Sequence, residues 1–450
     1  MNMNLKRVFN PKSIAVIGAS SEKKSVGLGL MKNVLEGKSK RKVFAINPYR
    51  KQVLGIKCLP SVLSIKGPVD LAIIAVPASI VPKIVEECCQ KKVGGIIVIS
   101  VGFAETGKKG KVLQQRISKL ARKAKIPLIG PNCLGIIRPS LKLNASFAPV
   151  IPEAGGIAFV SQSGAVIDAV VDSSWLKNYG FSSLISYGNE AQLDICDFLL
   201  WLKNDKETKV ITIYLEGLKD GRRFMRIAKE ISKTKPIIAI KAGRTRAGTK
   251  AAISHTAALS GSYQIYSAAF AQSGIVEVDT LEDLFGVAKA LAWHKKCKNG
   301  AAIVTNGGGF GVLLADYCQE LGIKLPKLSK ATLEKLVKSK LMNPAFSKRN
   351  PLDIVGDALS DRYDIAIKAL LEQKNIHSLF VVQAFQIMTE VEENAKIIIQ
   401  AQKKWKSKPI ISIFLGEKFS QPGIDLLEKN QIPNYSNLKR AAIAMKSLIQ

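Results

Sequence analysis

Histidine is scarce in this sequence, three in 450 residues, and one of the three sits where chemistry is plausible. His255 lies in the connection from Lys241 to Gly261, which is rich in small residues and carries Arg244, Arg246 and Lys250. A loop of that length in an α/β domain is usually functional or disordered. Imidazole is a nucleophile near neutral pH, and the basic neighbours would draw in a phosphoryl group. The residue types therefore suit a phosphate carrier, and an ordinary loop histidine as well. His294 ends a helical stretch beside Lys295 and Lys296, where the helix dipole favours a positive charge. His377 precedes an apolar run and reads as an edge or core residue.

Three other places share one device, an apolar strand that runs into a Gly/Ser loop before a helix. They are Gly18-Ala19-Ser20-Ser21, Ser161-Gln162-Ser163-Gly164, and the stretch from Asn306 through Gly307, Gly308 and Gly309 to Gly311. Free backbone N–H groups and the positive end of a helix dipole converge there on an anion. A glycine at such a turn also serves packing, so one site alone decides nothing. Three in one chain point to phosphate handling. The first is not a dinucleotide fingerprint, because the next glycines, Gly27 and Gly29, come nine and eleven residues after Gly18. Ile46 leads to Arg50 instead of to the carboxylate that would hold an NAD ribose. That charge suits a 3′-phosphorylated nucleotide such as CoA; a solvated surface arginine fits too.

The elements that must position these residues alternate between short apolar strands and amphipathic helices, the pattern of parallel doubly wound sheets. In the first segment strands are expected at 13–18, 42–46, 70–76 and 95–101, with helices at 28–35, 81–90 and 110–123. Residues 131–156, with their Pro and Gly, read as a linker. The pattern restarts with strands at 157–161, 182–186, 210–214 and 236–241 and a helix from about 165, and ends on a helix at 281–294. A polar break precedes strands at 301–305, 378–383 and 409–414. A length of 450 residues is what about three domains of roughly 150 residues require. The expected fold class is thus α/β with three domains, at 1–130, 154–294 and 300–450.

Composition narrows the function classes. No apolar run is long enough to span a bilayer and residues 1–11 lack a signal-peptide core, so a cytoplasmic protein without membrane contact is expected. Seven cysteines without a CxxC pair or a histidine at ligand spacing read as free thiols, and no metal site is expected. Lys+Arg 67 against Asp+Glu 35 gives a net charge of +32. The basic clusters at 38–42 and 108–111 contain no aromatic and that at 403–408 a single one, Trp405, so the reading is a lysine-rich solvated surface and no nucleic acid. Such a field would gather anionic ligands.

The motifs 13–20 (SIAVIGAS), 69–77 (VDLAIIAVP), 129–135 (IGPNCLG), 160–164 (VSQSG), Ser254-His255-Thr256, 306–311 and 350–357 (NPLDIVGD) resemble, in order and across the whole chain, those of the ADP-forming acyl-CoA synthetases, which are related to succinyl-CoA synthetase. The resemblance implies an N-terminal Rossmann-like CoA-binding domain followed by two flavodoxin-like domains of succinyl-CoA synthetase type. It implies CoA contacts from Gly18, Ala19, Ser20, Arg50, Ser100, Asn132 and Cys133, and matches His255 to the phosphorylated histidine. Glu216 falls where the family sets a carboxylate against that histidine, which would fix its tautomer. Ser161, Gln162, Ser163 and Gly164 match the helix start that cradles its phosphate, and Gly307, Gly308 and Gly309 a second cradle. The implied reaction is acyl-CoA + ADP + phosphate ⇌ carboxylate + CoA + ATP. No ATP-grasp or GxxxxGK[ST] signature is found, so Mg-ADP or Mg-ATP is expected on a separate ATP-grasp beta subunit in a hetero-oligomer. Two departures stand out. Ala257 and Ala258 follow the His-Thr pair, where Gly and Ser are common, and Asp168 differs from the side chain of succinate-using relatives, so substrate choice does not carry over. Other readings are a non-catalytic CoA-binding regulatory protein and a fragment-like relative of CoA-ligase-type protein acyltransferases, for whose acetyltransferase domain no segment follows the third α/β unit.

Overall fold

Strands that are apolar on consecutive residues are buried on both faces, and those residues form the centres of three sheets. A computed structural model describes residues 5–36, 41–248 and 262–450. The chain divides into an N-terminal unit, residues 1–279, and a C-terminal unit, residues 280–450.

The N-terminal unit holds two seven-stranded sheets. The first runs Gln52–Val53, Ile56–Leu59, Lys42–Ile46, Ser13–Ile17, Leu71–Ile74, Ile96–Val98, Leu128–Ile129, parallel except for the antiparallel pair at its edge. The second runs Ile275–Glu277, Ile237–Lys241, Val210–Leu215, Ala154–Ser161, Phe181–Ser186, Gly135–Arg138, Leu143–Ser146. The C-terminal unit has a parallel four-stranded sheet, Leu352–Asp353, Ala301–Thr305, Ser378–Ala384, Ile410–Leu415. Three domains of mixed, mainly parallel α/β sheets are thus present. Ser13–Ile17, Ala154–Ser161 and Ala301–Thr305 each lie between neighbours that follow in opposite directions across the sheet. Those are the switch points at which open α/β sheets bind ligands. All three Gly/Ser loops leave from them.

The stretch read as a linker proved to be structured. Gly135–Arg138 pairs antiparallel with Leu143–Ser146 and with Phe181–Ser186, so residues 131–156 extend the second sheet. All eight hairpin residues are buried, polar ones included. Ser146 Oγ donates to Asn144 Oδ1 at 2.5 Å, and Arg138 bridges Asp205 at 3.0 Å and Glu207 at 2.9 Å. Partners inside the fold let a strand contain Arg, Asn and Ser, which read as loop residues in isolation. The two sheets of this unit share one core, and Phe9 stacks on Trp201 at 3.8 Å between ring centroids.

The helix Leu281–Trp293, expected to close the middle domain at 294, packs as follows. Residues Leu284 to Ala292 are all buried, and the helix lies in the C-terminal unit against Leu438–Leu448. Tyr435 Oη donates to Gly286 O at 2.7 Å, and Lys289 pairs with Glu428 in the interior.

Candidate active site

Two of the three loops are built alike, residue for residue. The last strand residue, Ser161 or Thr305, donates its hydroxyl to the carbonyl two residues on, Ser163 at 2.8 Å or Gly307 at 3.0 Å, and accepts that residue's N–H in return. The next residue, Gln162 or Asn306, ties the loop to a neighbouring strand end: Gln162 Oε1 accepts the N–H groups of Glu216 and Gly217, and Asn306 exchanges two bonds with Ala384. Ser163 and Gly307 then begin the helices Gly164–Lys177 and Gly308–Glu320 without a capping side chain. A helix start whose first amides lack a side-chain acceptor is suited to an anion.

The first loop differs. Its helix, Val26–Glu36, begins eight residues past Gly18, and the N–H groups of Gly18 and Ala19 both bond Ile46 O. Gly18 is needed for its shape: φ is +94° and an added Cβ would stand 2.2 Å from Ala75 O. Ser20 Oγ accepts from Glu22 N at 3.0 Å. Arg50, expected to face a phosphate, is ion-paired with Glu22 at 2.6 Å on the surface, so a ligand would have to compete for it.

Ser100, Asn132, Cys133, Gln162, Ser163 and Gly164 line one cleft of about 570 Å³ in the N-terminal unit, between the strand ends of its first sheet and the helix start of its second. Ser100 Oγ donates to Val76 O at 2.5 Å and so joins two strand ends. Asn132 adopts φ +57° and donates to Asn189 Oδ1 at 3.2 Å. Burial pushes the Cys133 thiol up to about 12, and its Sγ bonds Val98 O, so it is a neutral packing group and no nucleophile.

Gln162 is less a phosphate ligand than a strut. Its backbone N–H bonds Tyr214 O, and its Nε2 donates to Glu190 Oε1 at 3.0 Å and Gly217 O at 3.1 Å. Through it the cradle is fixed to Glu216, which is buried. The Lys241 ammonium, also buried, donates to Glu216 O at 2.8 Å and lies 4.6 Å from the Tyr266 ring centroid. Burial lowers its pKa, against the pull of Glu216. His255 lies outside the described residues.

Sequence reasoning missed Glu190, Glu105, Asn189 and Lys241. Burial raises the Glu190 carboxyl to about 7, with Lys219 opposing and Asp194 reinforcing the shift. Glu105 goes the other way: despite burial, N–H donors of Phe103 and Gly102 and the Asn189 amide hold it low. None sits in a motif; Glu190 adopts φ +55°, a conformation its residue type does not announce in the sequence. Burial drives His294 down to about 4, with its Nε2 3.1 Å from Ile410 O, so it is neutral rather than a charge on the helix dipole. All seven cysteines are free.

Fold and loops together define an α/β protein with anion-suited helix starts at the switch points of its sheets. The CoA binding domain family matches residues 12–139, the succinyl-CoA ligase-like flavodoxin domain family 154–291 and the ligase-CoA domain family 301–447. The chain is 40% identical to ADP-forming acetate–CoA ligase II subunit alpha of Pyrococcus furiosus, over 98% of this chain and 96% of that subunit. It is 42% identical to ADP-forming acetate–CoA ligase I of Archaeoglobus fulgidus over 99% of its own residues, but spans 63% of that longer relative. The solved dinucleotide forming acetyl-coenzyme A synthetase 1 of Ca. Korarchaeum cryptofilum, in complex with phosphate and ADP, superposes with a TM-score of 0.94 at 37% identity, covering 100% of this chain and 96% of that one. The chain belongs to the ADP-forming acyl-CoA ligase family. Among the described residues no helix is long and apolar enough to cross a membrane.

Proposed function

We propose that this chain acts in the cytosol as the alpha subunit of an acyl-CoA ligase, converting acyl-CoA, ADP and phosphate to carboxylate, CoA and ATP. The observation that carries the reading is the uncapped start of helix Gly164–Lys177, which opens into the same cleft as Ser100, Asn132 and Cys133 at the strand ends of the CoA domain. A thioester held from the first sheet meets a phosphate held at the second. A phosphate oxygen attacks the thioester carbonyl, and the CoA thiolate leaves and takes up a proton. A ring nitrogen of His255 then attacks the phosphorus of the acyl phosphate, and the carboxylate departs. Helix amides stabilise the charge on the transferring group. Glu216 orients the imidazole, and Gln162 holds Glu216 and the cradle in register. CoA contacts fall to the loop from Gly18 to Ser20, to Arg50 once released from Glu22, and to Ser100 and Asn132. Gly307, Gly308 and Gly309 form a second phosphate cradle of the same construction. The domain boundaries near 130, 154 and 300 bracket these three tasks.

The phosphoryl group then passes to Mg-ADP on an ATP-grasp beta subunit. Two facts support a partner: a relative of matching length is named a subunit alpha, and another relative carries further sequence. Acetyl-CoA and labelled phosphate should leave an acid-labile, base-stable label on the chain, lost in His255→Ala. The chain alone should make no ATP. ATP formation by the single chain would end the two-subunit reading. Absence of label with every acyl-CoA would leave a CoA-binding regulator.

A further inference from the structure

Resting on the ligase reading, we infer that Asp168 selects the acyl group, favouring a short acyl chain that ends in a hydrogen-bond donor and rejecting one that ends in a carboxylate. Asp168 lies one helical turn beyond Gly164, roughly 5 to 6 Å along the axis from the phosphate cradle. It lines the same cleft as the cradle, so it stands where the far end of an acyl group would reach when its carbonyl carbon meets the phosphate.

Val76, Ile99, Leu134, Phe147 and Ala165 contribute carbon surface to the cleft, which also holds the polar groups of Ser100, Asn132, Gln162, Ser163 and Asn189. Among the described residues no lysine, arginine or histidine lines the cleft, and the other titratable group there, Cys133, stays neutral. Asp168 Oδ1 is shielded from solvent and has no hydrogen-bond partner. An unmet buried acceptor is costly and is unusual unless a ligand completes it. Burial shifts its carboxyl upward, and no donor or cation among the described residues opposes the shift. A hydroxyl at the end of the acyl chain would supply the missing donor. A methyl group would leave the oxygen unmet, and a second carboxylate would meet the like charge of Asp168.

Three thioesters with the same four-carbon acyl chain test this: 4-hydroxybutyryl-CoA, butyryl-CoA and succinyl-CoA, each measured against acetyl-CoA in the same preparation. The readout is the apparent second-order rate constant for incorporation of labelled phosphate into the full chain, a single-turnover half-reaction that on this reading needs no nucleotide, with the partner subunit present where one co-purifies. Wild type should prefer 4-hydroxybutyryl-CoA over butyryl-CoA by about tenfold or more, and use succinyl-CoA least. In Asp168→Asn the succinyl-to-acetyl ratio should rise about tenfold or more. In Asp168→Leu the preference should turn to butyryl-CoA. Unmoved ratios in variants that retain acetyl-CoA activity overturn the inference while the ligase reading stands. An equal loss on all four thioesters makes Asp168 a residue of the fold and overturns it too. No labelling of wild type by any thioester removes both readings together.

Discussion

At the scale of single residues, the site is held by side chains already committed to one another, and Glu190 is the one whose commitment is least comfortable. Its carboxyl is buried, accepts one bond from Gln162, and has the Lys219 ammonium at 3.7 Å. Burial raises its pKa from 4.5 to about 7. Between those values the folded chain binds more protons than the unfolded one, so Glu190 lowers stability as pH rises through that window and leaves it lowered above. Glu190→Gln carries no such charge. Urea unfolding at pH 5, 6, 7 and 8 should show the variant losing less stability than wild type across the window, and exceeding it by roughly 3 kcal/mol at pH 8. Parallel pH profiles would mean the carboxylate is better solvated than its surroundings suggest. The acid also reaches the cradle through Gln162, so an accompanying fall in phosphorylation would trace to the position of Ser163 and Gly164.

At the scale of elements, the glycines of the three loops do different work. Gly18 has positive φ and no room for a methyl group, whereas Gly309, in the first turn of helix Gly308–Glu320, has nothing within 4 Å of an added Cβ. Gly18→Ala should therefore destabilise the chain by about 2 kcal/mol or more and weaken CoA binding. Gly309→Ala should leave the melting temperature unchanged or slightly raised, since alanine favours a helix, and any effect should fall on phosphate handling. Melting curves with CoA titrations separate the two, and a silent Gly18→Ala would remove the shape argument. This contrast also marks what was legible beforehand. The central strands were plain because Ser13–Ile17, Ala301–Thr305 and their neighbours are apolar without interruption. Gln52–Val53, Ile275–Glu277 and Leu352–Asp353 are too short to carry a period, and the hairpin at 135–146 hides its strands behind Arg138, Asn144 and Ser146. Ser163, Gly164 and Asn132 stand in recognisable words of sequence, and Ser100 near the end of an expected strand. Glu190, Glu105 and Lys241 become neighbours of the site only once distant strands are paired, and Gln162 stands in a motif whose wording says nothing of its four internal partners.

At the scale of the molecule, the question is which body owns the helix Leu281–Trp293. It follows the middle domain in sequence, and the matching family extends through 291, yet its side chains are buried against the C-terminal unit. The Lys289–Glu428 pair makes this testable, because both side chains are nearly inaccessible, at 6% and 5%. The ammonium also lies 5.5 Å from the Trp293 ring centroid and 5.8 Å from that of Tyr435. Removing one member of a buried ion pair strands the other without its counter-charge and typically costs about 3 to 5 kcal/mol, whereas replacing both with apolar groups is often neutral or better. Lys289→Met should therefore destabilise the C-terminal unit by about 3 kcal/mol, and Lys289→Met with Glu428→Leu should recover most of that loss. In calorimetry the transition that moves should be the one a fragment of residues 280–450 also shows, while the transition of residues 1–279 stays in place. If Lys289→Met moves the N-terminal transition instead, the helix stabilises the domain it follows in sequence, and the boundary lies near 294 after all.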